Sequence, residues 1–243
     1  MAAERIDSPL TTSAAFRLGV RDALGIPLLV LMATFTGFVG LAREAGIGLA
    51  HTLYMVAFIW ALPAQVVLIA QIASGASLLA AFVAVTLTGV RLTPMVVALL
   101  PEIKGTRTRR LTLFFLANFI AVTSWVIGMH GARNVPRESR AAWFAGVEMT
   151  LVAANLGVTL FVYLASASLP PLANGVLAFL MPTYFLASLW GSARERAALV
   201  ALVVGLVTGP VVHSVAPEFD LLAAGLLGGV LGMIWHRLEK ARR

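Results

Sequence analysis

Cysteine is absent from the 243-residue chain, which at once excludes a disulfide framework, thiolate metal sites, iron–sulfur clusters and a cysteine nucleophile. Charge is scarce too. Asp, Glu, Lys and Arg make up 12% of the residues, against about 25% in an average soluble chain, while 60% are hydrophobic and the mean hydropathy is +0.92. So few charged side chains cannot keep that much aliphatic mass dispersed in water. The composition is that of a polytopic membrane protein. Lysine occurs only as Lys104 and Lys240, both outside the apolar runs, so a retinal Schiff base within a bundle is excluded. His51, His130, His213 and His236 are far apart and lack H-E-x-x-H spacing, and no G-x-x-x-x-G-K-[ST] loop is present. This pattern speaks against metalloprotease and ATPase chemistry, and nothing favours a serine–histidine hydrolase built on Ser74 or Ser77. No metal, cofactor or enzymatic reaction is expected.

What charge there is, is mostly positive: the formal net charge is +7 and the isoelectric point is near 11.0. The basic residues sit in short clusters between apolar runs rather than along one amphipathic face, which points to loops beside a bilayer and not to nucleic acid. Asp, Glu, Lys and Arg are missing from 23–42, 45–90, 111–132, 149–193, 197–217 and 221–236. About 20 apolar residues cross a bilayer. Breaking the longer blocks at Gly and Pro gives segments near 16–42, 49–72, 77–100, 111–130, 141–165, 172–190, 197–215 and 220–236. The expected fold is therefore an all-α, polytopic transmembrane bundle of about seven to eight helices. Residues 1–15 read as a mobile leader, 16–236 as one transmembrane domain and 237–243 as a basic tail. The first apolar stretch is too long for a signal peptide and lacks an A-x-A site, so it reads as a retained helix.

Orientation follows the Lys and Arg clusters: Lys104 to Arg110, Arg133 to Arg140, and Arg237 to Arg243. Eight full spans with the N-terminus inside place the acidic Glu218–Asp220 connection outside and the C-terminus inside. The same count places the basic loop 101–110 outside. Either an early segment is re-entrant or this loop breaks the rule. Sliding the chain by about 120 residues aligns Thr88-Gly89 with Thr208-Gly209 and Gly37 with Gly157, and Pro63 meets Pro182 one residue short of that offset. Two repeats, 16–130 and 136–236, with interrupted helices in matching positions are the sequence pointer to a secondary transporter.

Within the apolar segments, Pro27, Pro63, Pro94, Pro182 and Pro210 each remove a helical N–H and mark helix breaks that tend to face a bundle interior. Arg91 lies in Thr86-Leu-Thr-Gly-Val-Arg91-Leu-Thr-Pro94, apolar on both sides. An arginine at mid-membrane costs about 2.5 to 3.5 kcal/mol on insertion scales and suits a bidentate carboxylate, with Thr88 one turn away. A snorkelling arginine is the alternative. Glu148 lies one or two turns into the fifth segment and shares a face with Asn155, seven residues on. It is a candidate for proton uptake and release during transport, or an ion-pair partner of Arg91, or a residue near the headgroups. Gln65, Gln71, Asn118, Thr123 and Ser124 add polar groups at membrane depth, where interhelical hydrogen bonding is their usual role.

With these features in order, the sequence resembles the AzlC family of branched-chain amino acid export subunits. The resemblance runs from about Phe16 to Gly232. It includes Phe16-Arg-Leu-Gly-Val-Arg-Asp22, Pro27, Gly37-Phe-Val-Gly40, Ala64-Gln65, the Arg91 helix with Leu100-Pro-Glu102, Trp143-Phe-Ala-Gly146, Asn155-Leu-Gly157, Gly175 to Pro182, and Ala224-Gly-Leu-Leu-Gly228. Three stretches depart from the family pattern: Ala61-Leu-Pro-Ala-Gln65, Gly89-Val-Arg91, and Ala121-Val-Thr-Ser-Trp125, the last lacking the acidic element usual there. Gln65 and Arg91 are the positions that carry over. The resemblance implies export of Leu, Ile, Val or Met driven by the proton motive force, a small AzlD-type partner subunit, and a multi-pass location in a bacterial inner membrane. On this reading Arg91 meets the substrate carboxylate, Gln65 lies near its ammonium, and Thr88 and Asn155 are further candidate substrate contacts. A channel, or a structural or regulatory membrane subunit without transport, are the competing classes.

Overall fold

A computed structural model describes residues 10–106, 108–166, 196–215 and 220–241, with positions 170, 172, 175, 176, 179 and 183 between them. Pro182, Arg107 and most of the sixth apolar segment lie outside the described residues. Among the described residues the fold is all-helical, without a strand. The helices are α1 (Thr12–Ala23), α2 (Ile26–Glu44), α3 (Leu49–Phe58), α4 (Leu62–Ala73), α5 (Leu78–Val90), α6 (Thr93–Ile103), α7 (Arg110–Asn118), α8 (Val122–Gly131), α9 (Arg140–Ala165), α10 (Arg196–His213) and α11 (Asp220–Ala241). Short 3-10 turns occupy Ala132–Asn134 and Arg137–Ser139.

The first four apolar segments are each broken in the middle, and three of the breaks precede a proline. Pro27, Pro63 and Pro94 stand in the first turns of α2, α4 and α6, where the missing N–H would be unpaired anyway and the fixed φ suits a helix start. They open new helices instead of kinking old ones. Pro210 lies inside α10. The break between α7 and α8, at 119–121, has no proline. Ser124 holds it, accepting from the Ala121 N–H at 3.0 Å and lying 3.2 Å from the Phe119 carbonyl.

One end of the bundle gathers the basic loops. Arg140 donates to the Glu102 carbonyl at 2.9 Å and its guanidinium lies 3.8 Å from the Glu102 carboxylate. Arg133 lies 3.9 Å from the same carboxylate, Arg137 donates to the Lys104 carbonyl, and Thr106 donates to Glu138 at 2.7 Å. Leu10 exchanges hydrogen bonds with Ser139 at this end. The opposite end is tied by Arg43, which donates to the Tyr163 carbonyl at 2.8 Å and to Ser166, and by Tyr163, which donates to the Ile47 carbonyl. There α2 and α4 stop at Gly46 and Gly75, with φ of 73° and 68°, the left-handed turn that closes a helix C-terminus.

These ties fix the course of the chain. Helix α2 and the helix over Arg137–Ala165 are each long and apolar enough to cross a membrane, and α5 with α6 makes a third candidate span bent by 50°. A 50° bend does not reverse direction. Helix α6 ends at the basic end, so α5 starts at the opposite end, where α3 also starts. The pair α3–α4 must therefore enter and return. Gln65 confirms the fold-back: it donates to the carbonyls of both Met55 and Ile59, which a straight continuation of α3 would carry beyond reach. Both ends of the pair α7–α8 lie at the basic end, so it too enters and returns. At nine and ten residues its arms rise about 14 and 15 Å, half of a roughly 30 Å hydrocarbon layer. Two opposed re-entrant hairpins thus bring loop 101–110 and loop 132–139 to the same side, which reconciles the basic-loop conflict.

Helix α1 is amphipathic. It buries Ala15, Gly19 and Ala23, and crosses α9 where Gly19 meets Trp143 and Val147, and Gly146 meets Phe16 and Val20. Trp143 Nε1 donates to Asp22 at 2.8 Å. Residues 12–15 are therefore the start of a docked helix and not part of a mobile leader. Likewise α11 continues to Ala241, so most of the basic tail extends the last helix. Apolar side chains cover the outside: Leu78, Phe82, Phe114 and Phe161 are 91%, 68%, 73% and 70% exposed, as a hydrocarbon-facing surface requires.

Candidate functional site

The tips of the two hairpins meet at mid-depth. Trp60, at the α3–α4 break, stacks on Phe35 of α2 with ring centroids 6.2 Å apart and meets Phe119, at the α7–α8 break, edge-on at 6.2 Å. A cavity of about 220 Å³ opens beside this contact, lined by residues of all three mid-membrane breaks together with α2 and Leu151 of α9. The space equals roughly seven waters, the scale of a small amino acid.

Its polar character comes from helix ends. The cavity walls include Ala61, Leu62 and Pro63 at the start of α4, Leu92 before α6, and Ala121 to Ser124 at the start of α8. The first-turn N–H groups of a helix have no partner within it and are normally met by a Ser, Thr, Asp or Asn at the N-cap. Here the N-caps are Ala61, Leu92 and Ala121, and none has a side-chain oxygen to offer. Among the described residues, Leu62 of α4 and Val122, Thr123 and Ser124 of α8 bring first-turn N–H groups without a backbone partner to the wall, at the positive ends of two helix dipoles. The Ala64 N–H, in contrast, is met by the Ala61 carbonyl at 2.8 Å, and α6 shows the wall only Leu92, whose N–H bonds the Gly89 carbonyl.

Arg91 lines the same cavity. It caps the C-terminus of α5, its backbone N–H bonding the Gly89 carbonyl, and among the described residues its side chain forms no hydrogen bond or ion pair. Its guanidinium is available to a ligand. Pro63 shares the wall. Thr88 does not: its hydroxyl donates to the Ala84 carbonyl of its own helix at 2.9 Å, so the proposed contact to the substrate is replaced by a bond one turn back. Gln65 is fully buried and behind the wall, where its two bonds to α3 carbonyls hold the hairpin tip. It positions the site without lining it.

Glu148 and Asn155 also stand behind the cavity, flanking Leu151 on one face of α9. Both are fully buried. Asn155 donates to the Leu151 carbonyl at 2.6 Å and its oxygen is unpartnered, so it does not reach the cavity as a substrate contact. Neither oxygen of Glu148 has a hydrogen bond of good geometry, and Ser124 of the cavity wall lies beside its carboxylate. Arg91 is not its ion-pair partner. Pro94 opens α6 next to the break but is outside the lining. Trp60, Phe35 and Thr34 also line the cavity and carry no sequence pattern that separates them from ordinary packing. Thr123 and Ser124 were visible as polar residues at depth, yet only the break places them at a ligand.

No curated protein and no solved structure matches the chain. A family model, described as AzlC protein, matches residues 27–169, a stretch that contains α2 apart from Ile26, α3 to α9, and every described residue lining the cavity. It covers more than half of the sequence, and the chain belongs to the AzlC family.

Proposed function

We propose that this protein is a secondary transporter that exports small apolar amino acids, Leu, Ile, Val or Met, using the proton motive force. The observation that carries the reading is the mid-depth cavity bordered by three helix breaks, with first-turn N–H groups of α4 and α8 and Arg91 on its wall. Discontinuous helices whose N-termini meet a substrate carboxylate are a recurrent transporter device. Arg91 and the starts of α4 and α8 hold the carboxylate, while Val30, Leu31, Phe35 and Leu151 receive the side chain. Glu148, one side chain behind Ser124, takes up and releases the coupling proton. Ser124 touches both the cavity and the carboxylate, so occupancy and protonation are linked through the α8 tip. The basic end faces the cytoplasm by the positive-inside rule, in the inner membrane of a bacterium, and a small AzlD-type subunit completes the exporter.

The test is efflux of labelled isoleucine and methionine from proteoliposomes under an imposed pH gradient, with and without a candidate small subunit. Flux that follows the gradient and vanishes in folded Arg91→Ala supports the reading. Absence of flux from folded wild type with its partner bound removes it.

A further inference from the structure

The charges that meet the cavity are all of one sign. Among the described residues Arg91 is the single ionisable residue on its wall, joined by the starts of α4 and α8. An amino acid brings an ammonium as well as a carboxylate, and an ammonium taken from water needs an anionic partner or several converging carbonyl oxygens. Among the described residues, no carboxylate lines the cavity. The sequence offers few others: residues 149–193, which include the segment outside the described residues, contain no Asp or Glu at all. Within the apolar segments before Glu195 the acids are Asp22, held by Trp143 Nε1 at the α1–α9 crossing, and Glu148, which stands behind Ser124 and Leu151 rather than on the wall. The rest of the wall is apolar or bears the hydroxyls of Thr34, Thr123 and Ser124, of which Thr34 donates to the Val30 carbonyl at 2.8 Å and Ser124 is tied to the Ala121 N–H and the Phe119 carbonyl; none carries a negative charge.

We propose that the cavity selects its ligand by a carboxylate and a short branched apolar tail and makes no demand for an amino group, so that branched 2-oxo and 2-hydroxy acids are ligands of the same site. The inference rests on the reading of this cavity as the transport site. A 2-oxo acid keeps the group that Arg91 and the helix starts bind. It has no ammonium to strip of water, and its tail fills the same space between Phe35, Trp60 and Leu151.

Trp60 stands on the cavity wall, so ligand entry is read from tryptophan emission of the purified full chain in detergent, with binding confirmed by equilibrium dialysis of labelled ligand. Three probes are compared: leucine, 4-methyl-2-oxopentanoate, and leucine amide, which keeps the ammonium and lacks the carboxylate. The proposal expects the oxo acid to bind at least as tightly as leucine, and leucine amide to bind at least tenfold more weakly than either. Leucine binding tenfold or more tightly than the oxo acid overturns it and leaves the exporter reading intact. A lead of that size that disappears in Glu148→Gln assigns the ammonium to Glu148 and overturns it equally. If neither acid binds to protein whose circular dichroism and thermal transition show it folded, both this inference and the exporter reading fail.

Discussion

Replacing Gly146 by alanine tests the crossing of α1 and α9 directly. A Cβ at this position would run into the Phe16 carbonyl and come within 3.1 Å of the Val20 nitrogen. Both are backbone atoms of a helix, so relief requires the two helices to separate. Overpacking of this kind costs about 1 to 3 kcal/mol, and the absence of a movable side chain places the site near the top of that range. Alanine also favours the helix by about 0.5 to 1 kcal/mol over glycine. The net loss is about 2 kcal/mol. Gly157 is the control, on the same helix, with nothing within 4 Å of its virtual Cβ. There only the propensity gain remains, so Gly157→Ala is stabilising by about 0.5 to 1 kcal/mol. One substitution on one helix thus changes sign over three turns. Reversible unfolding in mixed micelles at rising dodecyl sulfate, followed by circular dichroism, measures both. Gly19→Ala meets the Trp143 carbonyl at the same crossing, so the double variant loses less than the sum of the singles. Equal stability of Gly146→Ala and Gly157→Ala would refute the close crossing.

Arg91→Ala removes an exposed, unpartnered side chain, so unfolding free energy stays within about 0.5 kcal/mol of wild type while binding of the carboxylate ligand is lost; dialysis and unfolding curves on one preparation separate the two effects. Gln65→Leu removes the two hydrogen bonds that hold the α3–α4 tip while both carbonyls keep a backbone donor, and at about 0.5 to 1.5 kcal/mol for each bond lost it lowers stability by about 1 to 3 kcal/mol, read by the same titration. Glu148→Gln keeps the shape of the side chain and removes its charge change, so substrate exchange persists in proteoliposomes while efflux no longer follows a pH gradient; gradient-driven efflux at the wild-type rate counts against a proton role. Because the chain has no cysteine, single cysteines report sidedness without background: Thr108→Cys and Asn134→Cys react with an impermeant maleimide from one face of the membrane and Ala76→Cys from the other. Labelling of Thr108→Cys and Asn134→Cys from opposite faces would make α7–α8 a span and remove the hairpin.

The apolar blocks and the breaks at Pro63 and Pro94 were legible because charge depletion and proline act locally. The same composition hides whether a segment crosses or returns. Twenty apolar residues make one span or two half-length arms, and only contacts between distant loops, such as Arg140 with Glu102, decide. The break at 119–121 was invisible for a related reason: it has neither Gly nor Pro, and Ser124 sustains it through bonds that no spacing announces. Among the candidate site residues, the seven-residue interval correctly put Glu148 and Asn155 on one face of α9. It could not say that Leu151 stands between them and the cavity. Thr88 misled because a threonine in a helix satisfies its hydroxyl on its own backbone as readily as on a ligand.

The meeting of Trp60 and Phe119 has an electrical consequence. A membrane voltage falls mainly across the least polarisable stretch of a pathway, and moving one elementary charge through 100 mV is worth about 2.3 kcal/mol. Where two half-depth hairpins touch tip to tip, that stretch shrinks from the thickness of the bilayer to the width of a few side chains. A carboxylate resting on Arg91 then needs to travel only a short distance to sense most of the field. A tilt of either hairpin by about one ring diameter changes which solution the ligand faces, with every complete span left in place.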